Sequence, residues 1–244
     1  HLPYATEHAN SDIGSSSAIA GLHQFISSIP DRKALLLGQR SPTCDKTRQL
    51  TRTYHPNYDE IVLKAKQAND YFLLIGPPGT GKTSMALRFL VQEELASSTS
   101  SILLMAYTNR AVDEIGAMLN DANIDYIRIG NEYSCDSRFK SHLLGNAIEQ
   151  CPKLNAIKEK IELTRVIVGT TSTMSARPLI FSIKHFSLAI IDEASQILEP
   201  NIIGLLSMHH QSSDIDKFIL IGDYKQLPAV VRQNEKDTII EHPL

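Results

Sequence analysis

Residues 71–83 read YFLLIGPPGTGKT, and the order of their parts decides how the rest of the chain is read. Tyr71 to Ile75 is an apolar run of strand length. Gly76-Pro-Pro-Gly-Thr-Gly-Lys-Thr83 follows it directly and opens a helix-like stretch, Lys82 to Leu95, that carries Met85, Leu87, Phe89, Leu90 and Val91. A G-x-x-x-x-G-K-[ST] string between a strand and a helix reads as a phosphate-binding loop and not as a glycine-rich turn without a ligand. Its glycines let backbone N–H groups curl around phosphates, and the helix N-terminus adds a partial positive charge. Gly76, Gly79, Thr80 and Gly81 are the expected cradle. Lys82 is expected to reach the β- and γ-phosphates, and Thr83 to set its hydroxyl on Mg²⁺.

Outward from this loop the same alternation continues. Further apolar runs occupy Ile102 to Tyr107, Tyr126 to Ile129, Val166 to Val168, Leu188 to Ile191 and Phe218 to Ile221. Most are continuous instead of alternating, which suits strands covered on both faces by helices. Arg110 to Leu119, with Val112, Ile115, Met118 and Leu119, reads as a helix with Asn109 as its N-cap. The pattern predicts an α/β domain built on a doubly wound, mostly parallel sheet. Residues 131–164 form a polar, peripheral and helical excursion broken at Cys151-Pro152. The first 56 residues fit no part of the alternation and are expected to be a small N-terminal appendage, with a short helix over Ala18 to Ile29; residues 57–244 form the nucleotide-binding domain.

With 244 residues, 42% hydrophobic and 21% charged, the chain is long and apolar enough for one large α/β domain with or without an appendage. A net charge of -3 excludes a global basic field for nucleic acid, so any such contact must be local. One local candidate is 31–55, where Arg32, Lys33, Arg40, Lys46, Arg48 and Arg52 face only Asp31 and Asp45. This stretch is either a phosphate-binding patch or a solvated charged face. Cys44, Cys135 and Cys151 are widely spaced and odd in number, which argues against a disulfide framework or a zinc cluster. No run reaches the ~18 apolar residues of a membrane span, and the polar, Ser-rich start has no signal-peptide core. The expectation is a soluble intracellular protein, not bound to a membrane, that begins at His1 as a processed or cut chain does.

A second site feature lies at Leu188-Ala-Ile-Ile-Asp192-Glu193, an apolar strand ending in two carboxylates. Strand alternation turns the two side chains in different directions, so one can serve a metal while the other faces a nucleophile. Asp192 is the expected Mg²⁺ anchor, either directly or through water, and Glu193 the base that orients attacking water. Behind a P-loop, the pair points to hydrolysis of a nucleoside triphosphate.

The class of P-loop protein turns on Gly222-Asp-Tyr-Lys-Gln-Leu-Pro228, which follows the last apolar run. With GPPGTGKT and Asp192-Glu193-Ala194-Ser195-Gln196, it resembles motifs I, II and III of superfamily 1 helicases of the Upf1/Dna2 group. Ala106-Tyr-Thr-Asn-Arg-Ala-Val-Asp113 is similar to their motif Ia, and Val168-Gly-Thr-Thr-Ser172 to the threonine-bearing motif that follows. The resemblance covers residues 57–231 and implies a RecA-like fold, ATP and Mg²⁺ as cofactors, and single-stranded nucleic acid, DNA or RNA, as partner. It implies that Gln226 contacts the γ-phosphate as part of the catalytic set, that Gln196 lies near it, and that Thr108, Asn109, Arg110, Thr170 and Thr171 contact the strand. Two positions depart from the family pattern. Tyr107 stands where proline is common, and Glu60 stands where the family places its adenine-reading glutamine, so it can accept from an adenine amino group but cannot donate to N7. The resemblance also implies a second RecA-like domain in the full-length protein. The rival classes are an AAA+ or other P-loop ATPase acting on protein, and a nucleotide-gated nucleic-acid-binding module.

Overall fold

The computed structural model describes residues 13–77, 79, 81–147, 154–208 and 214–223. The chain opens with helices α1 (Ile13–Ser27), α2 (Pro30–Leu36) and α3 (Asp59–Gln67), then strand β1 (Tyr71–Ile75). A π-helical turn, Lys82–Ala86, leads into α4 (Leu87–Leu95), followed by β2 (Ile102–Ala106), α5 (Asn109–Asp121) and β3 (Ile127–Ile129). Two 3₁₀ turns, Glu132–Ser134 and Ser137–His142, and helices α6 (Leu144–Ala147) and α7 (Leu154–Leu163) make the excursion before β4 (Val166–Thr170). Short helices α8 (Thr171–Ser175) and α9 (Leu179–Ile183), strand β5 (Phe186–Asp192), a 3₁₀ turn (Ala194–Gln196), α10 (Glu199–Leu206) and β6 (Ile215–Gly222) complete the described chain.

The six strands form one sheet in the order β1-β6-β5-β2-β4-β3, with every neighbouring pair parallel. Each apolar run of the sequence is a strand. The alternation of side chains along them divides the core in two. Ile102, Leu104, Val166, Val168, Ile190 and Ile219 face α3, α4 and α5 on one side. Leu103, Met105, Ile167, Ala189, Ile191 and Phe218 face α7 to α10 on the other. Both faces of β2 to β5 are therefore dry, which is why those strands read as continuous apolar runs, whereas β1 at the sheet edge leaves Leu73 and Ile75 exposed on one face. This is the doubly wound parallel architecture the alternation predicted, and it agrees with the RecA-like P-loop fold the resemblance implied.

Two helix starts differ from expectation. The N-cap of α5 is Thr108, not Asn109: Thr108 is extended (φ -110, ψ 155) and its hydroxyl accepts from the Ala111 amide, while Asn109 is already helical. The helix after the P-loop begins with a wide π turn because the Gly81 carbonyl accepts from both Met85 N–H at 2.8 Å and Ala86 N–H at 3.1 Å.

Residues 13–55 pack against this frame. Helices α1 and α10 cross at glycines, so close that a Cβ on Gly204 would stand 2.5 Å from Gly21 Cα. The arginines of the basic stretch bond to the frame, Arg32 and Arg40 half-buried and Arg48 and Arg52 exposed. Arg32 donates to the Ile215 carbonyl at 2.5 Å, and Arg40 pairs with Asp31 at 2.8 Å and Asp70 at 2.7 Å. Arg48 donates to the Lys66 carbonyl, and Arg52 bonds Gln92 and covers the Tyr54 ring. Ile215 and Asp70 mark the starts of β6 and β1, so this stretch braces the amino-terminal end of the sheet, opposite the P-loop. A cavity of about 540 Å³ opens at that same end beside Arg48, Lys66, Glu93 and Lys217. Arg32 and Arg40 thus serve the fold instead of forming either a phosphate patch or a solvated face, whereas Arg48 and Arg52 remain exposed.

Candidate nucleotide and nucleic-acid site

Strand register builds the site. Ile75 pairs with Gly222 at the ends of β1 and β6, and Gly76 N–H donates to the Gly222 carbonyl at 3.2 Å. Ala106 pairs with Asp192 across β2 and β5, and with Thr170 across β2 and β4. The carboxyl ends of five strands therefore stop in one row, the edge at which open α/β sheets bind ligands. Because β6 lies between β1 and β5, its end at Gly222 stands between the strand that leads into the P-loop and the strand that carries the two carboxylates.

Within the loop, Gly79 (φ 76) and Gly81 (φ 73) occupy the left-handed region that glycine adopts without cost. A Cβ at Gly79 would stand in open space, whereas one at Gly81 would lie 2.6 Å from the Tyr58 hydroxyl. The loop is thus open on one side and walled by Tyr58 on the other, and this open, glycine-lined turn at a helix start fits a phosphate group. Lys82 and Thr83 are the first two residues of the π turn. Thr80 and Gln226 lie outside the described residues.

Asp192 is buried, and its Oδ1 accepts from Glu193 N–H at 2.9 Å. Glu193 takes a left-handed conformation (φ 55, ψ 31). The strand ends at Asp192, so the direction of the Glu193 side chain is set by this turn and not by strand alternation. A non-glycine residue held there costs on the order of 1–3 kcal/mol, a strain that clusters at functional sites. Burial pushes the Glu193 carboxyl above the usual carboxylate range, and the Asp192 and Glu114 charges push it further. Its Oε2 accepts from the Thr108 hydroxyl at 3.4 Å. Beyond it, Ser195 Oγ accepts from Asp223 N–H at 3.2 Å, which ties the turn after β5 to the end of β6.

Along the same edge, Tyr107, Thr108, Asn109 and Arg110 are exposed at the start of α5, with Arg110 near Glu114 at 3.5 Å. Thr170 and Thr171 are buried. The Thr170 hydroxyl caps α8 by accepting from Thr173 N–H at 3.1 Å and donates to Thr173 Oγ1 at 2.8 Å, so Ser172 is the exposed residue of that turn. Glu60 lies on α3 with its side chain 77% exposed and paired with Lys64 at 2.7 Å. Tyr58, two residues before it, is the side chain of this segment that reaches the P-loop. Nothing in the sequence marked it, because its role depends on the aromatic cluster with His55 and Phe89 that seats it.

The family model described as AAA domain matches residues 57–162 and 152–234. The chain is 35% identical over 176 residues to the DNA replication ATP-dependent helicase/nuclease JHS1 of Arabidopsis thaliana, covering 72% of this chain and 12% of that protein. It is 32% identical over 184 residues to the DNA replication ATP-dependent helicase/nuclease DNA2 of Saccharomyces cerevisiae, with 75% and 11% covered. To DNA2 of Homo sapiens it is 33% identical over 179 residues, with 72% and 16% covered. The chain thus spans only a small part of these relatives. Among solved structures, the UvsW helicase from bacteriophage T4 aligns over 77% of this chain and 57% of that chain, with a TM-score of 0.47 and 16% identity. With the P-loop, the paired carboxylates and GDYKQLP following one another in the sequence, the chain belongs to this AAA domain family and, within it, to the superfamily 1 helicases of the Upf1/Dna2 group.

Proposed function

We propose that residues 57–244 form the ATP-hydrolysing motor domain of a helicase, with residues 1–56 as an appendage, and that this domain binds Mg-ATP and a single strand of DNA or RNA. The observation that carries the proposal is the register that ends β1, β6, β5, β2 and β4 in one row. It gathers the P-loop, Asp192, Glu193 and the exposed start of α5 on one edge.

In this reading Gly76, Gly79, Thr80, Gly81 and Lys82 hold the phosphates, and Thr83 and Asp192 hold Mg²⁺. The bound ion neutralises charge on the phosphates. Glu193 accepts a proton from the attacking water, and its raised pKa makes it a stronger base than an ordinary carboxylate. Gln226 senses the γ-phosphate, and Glu60 meets the base. Thr108, Asn109 and Arg110 contact the strand, while Thr170 and Thr171 hold the turn of α8 against it. A second RecA-like domain supplies the far wall of the nucleotide site.

The test is ATP turnover with and without single-stranded nucleic acid, in the wild type and in Glu193→Gln. Strand-stimulated turnover that falls about 10²–10⁴-fold in the variant, with nucleotide affinity kept, supports the assignment. Turnover stimulated by protein and not by a strand would favour the AAA+ class. Loss of nucleotide binding in Glu193→Gln would make Glu193 a metal anchor.

A further inference from the structure

Past the end of β3 the chain turns through Asn131 to Ser134 and sets out Tyr133, which is 96% exposed. A single exposed aromatic residue carries no meaning by itself. This one is held in place. The Asn131 side chain accepts from Tyr133 N–H at 3.0 Å, and the Ser134 hydroxyl donates to the Asn131 carbonyl at 3.1 Å. The Ser134 carbonyl accepts from the Arg128 guanidinium at 3.5 Å, and Asp136 N–H donates to Asp113 Oδ1 at 3.4 Å. Arg128, its side chain only 2% exposed, is itself paired with Asp113 of α5.

That buried pair fixes distance. Asp113 stands three residues past Arg110, about 4.5 Å along the helix axis at 1.5 Å per residue. The turn bearing Tyr133 is therefore fastened to the first turns of α5, whose start exposes Tyr107, Asn109 and Arg110. A buried ion pair contributes little net stability relative to apolar packing, and its best-attested use is to fix geometry. Here it orients a turn that ends in a solvent-exposed ring. The charges around the ring are balanced, since Glu132 pairs with Lys140 at 3.1 Å and Arg138 with Asp136 at 3.0 Å. A phosphate backbone therefore meets no uncompensated carboxylate in those pairs.

We propose that Tyr133 is a base-stacking contact for the bound strand, extending its path from the start of α5 over β2, past the α8 turn over β4, to the end of β3. From β2 to β3 is two strand spacings, about 10 Å. Arg110 meets phosphate, and Tyr133 offers a ring face to a base, a combination that binds single strands without reading sequence. This inference rests on the reading of the carboxyl edge as the nucleic-acid surface.

The chain contains no tryptophan, so Tyr133→Trp introduces a single indole. Its fluorescence should be quenched by an oligodeoxythymidylate, an oligouridylate, or both, and the two arms separate DNA from RNA. Tyr133→Ala should weaken binding on the order of 5- to 150-fold, the range of one lost stacked base, while Tyr133→Phe retains it. The salt dependence of Tyr133→Ala should match the wild type, because no phosphate contact is lost, whereas Arg110→Ala should flatten it. If the wild type binds strand and Tyr133→Ala binds equally, with no quenching of the indole, the stacking role is wrong and the nucleic-acid surface stands. A reduced salt slope in Tyr133→Ala also overturns stacking. If the wild type binds neither oligonucleotide, the nucleic-acid reading itself fails, and this inference fails with it.

Discussion

The hydroxyl of Thr108 donates to Glu193 Oε2 at 3.4 Å while accepting from Ala111 N–H at 3.1 Å. One side chain thus caps the helix that begins with Asn109 and Arg110 and touches the proposed catalytic base. A strand that displaces the start of α5 must alter this contact, which gives a physical route from strand binding to hydrolysis. Thr108→Val should lower stability by about 1 kcal/mol through the lost cap and reduce the ratio of strand-stimulated to basal ATP turnover. Thr108→Ser should retain both. An unchanged ratio in Thr108→Val would mean that the hydroxyl is a cap and nothing more.

The environment of Glu193 makes stability and activity depend on pH in opposite directions. Its folded-state pKa is raised, chiefly by burial and then by Asp192 and Glu114. A raised carboxyl destabilises the fold once ionised: the penalty is absent below the unfolded pKa and develops as pH rises through the folded one. Glu193→Gln cannot ionise, so it should melt higher than the wild type near pH 7. The gap should close as pH falls below the unfolded carboxylate pKa of about 4.3, where Glu193 becomes protonated in both states. Turnover, which needs the ionised base, should fall on acidification at a pH above the ordinary carboxylate range. Melting curves of both proteins across pH, with the wild-type pH–rate profile, check the two limbs.

At the far end of the sheet, Glu93 ties the N-terminal segment to α4. It accepts from Thr51 N–H at 3.0 Å, from the hydroxyls of Thr51 at 2.7 Å and Tyr54 at 2.6 Å, and from Lys66 at 2.5 Å. Burial alone would raise its carboxyl, but Lys66, Tyr54 and Thr51 outweigh burial and hold it below the usual range. Its contribution is therefore present above the unfolded carboxylate pKa and lost as pH falls through the folded one. Glu93→Ala leaves Lys66 without its partner in a site that Lys66 only partly escapes, and should cost about 3 kcal/mol. Denaturant midpoints at neutral pH measure this. Nucleotide affinity should not change, since the P-loop lies at the other end of the strands.

What the sequence disclosed and what it withheld divide along local and distant causes. The central strands were legible because a parallel sheet covered on both faces writes continuous apolar runs, and the P-loop because its glycines and lysine are adjacent in the chain. The cap of α5 was misplaced by one residue because Thr108 and Asn109 both cap well, and only the strand register ending β2 at Ala106 chooses between them. The arginines of 31–55 resembled a phosphate patch because their acceptors, Asp70 and the Ile215 carbonyl, are remote in sequence. The exposure of Tyr133 and its attachment through Arg128 to Asp113 left no local mark at all.

The contact between Gly81 and Tyr58 separates two reasons for a glycine in the P-loop. Gly81→Ala must hold a Cβ at φ +73, at a cost on the order of 1–3 kcal/mol, and must also push aside a hydroxyl 2.6 Å away. Tyr58→Phe removes only the hydroxyl. If conformation dominates, Gly81→Ala should bind nucleotide at least about tenfold more weakly than wild type, corresponding to ~1.4 kcal/mol, and Tyr58→Phe in the same chain should recover little of it. Full recovery in the double variant would mean that the tyrosine wall, and not the left-handed turn, sets the requirement for glycine. Tyr58→Phe alone should leave affinity near the wild-type value, because Gly81 already avoids the hydroxyl. Calorimetric titration of the four proteins with nucleotide distinguishes these outcomes, and melting temperatures measured alongside separate loss of binding from loss of fold.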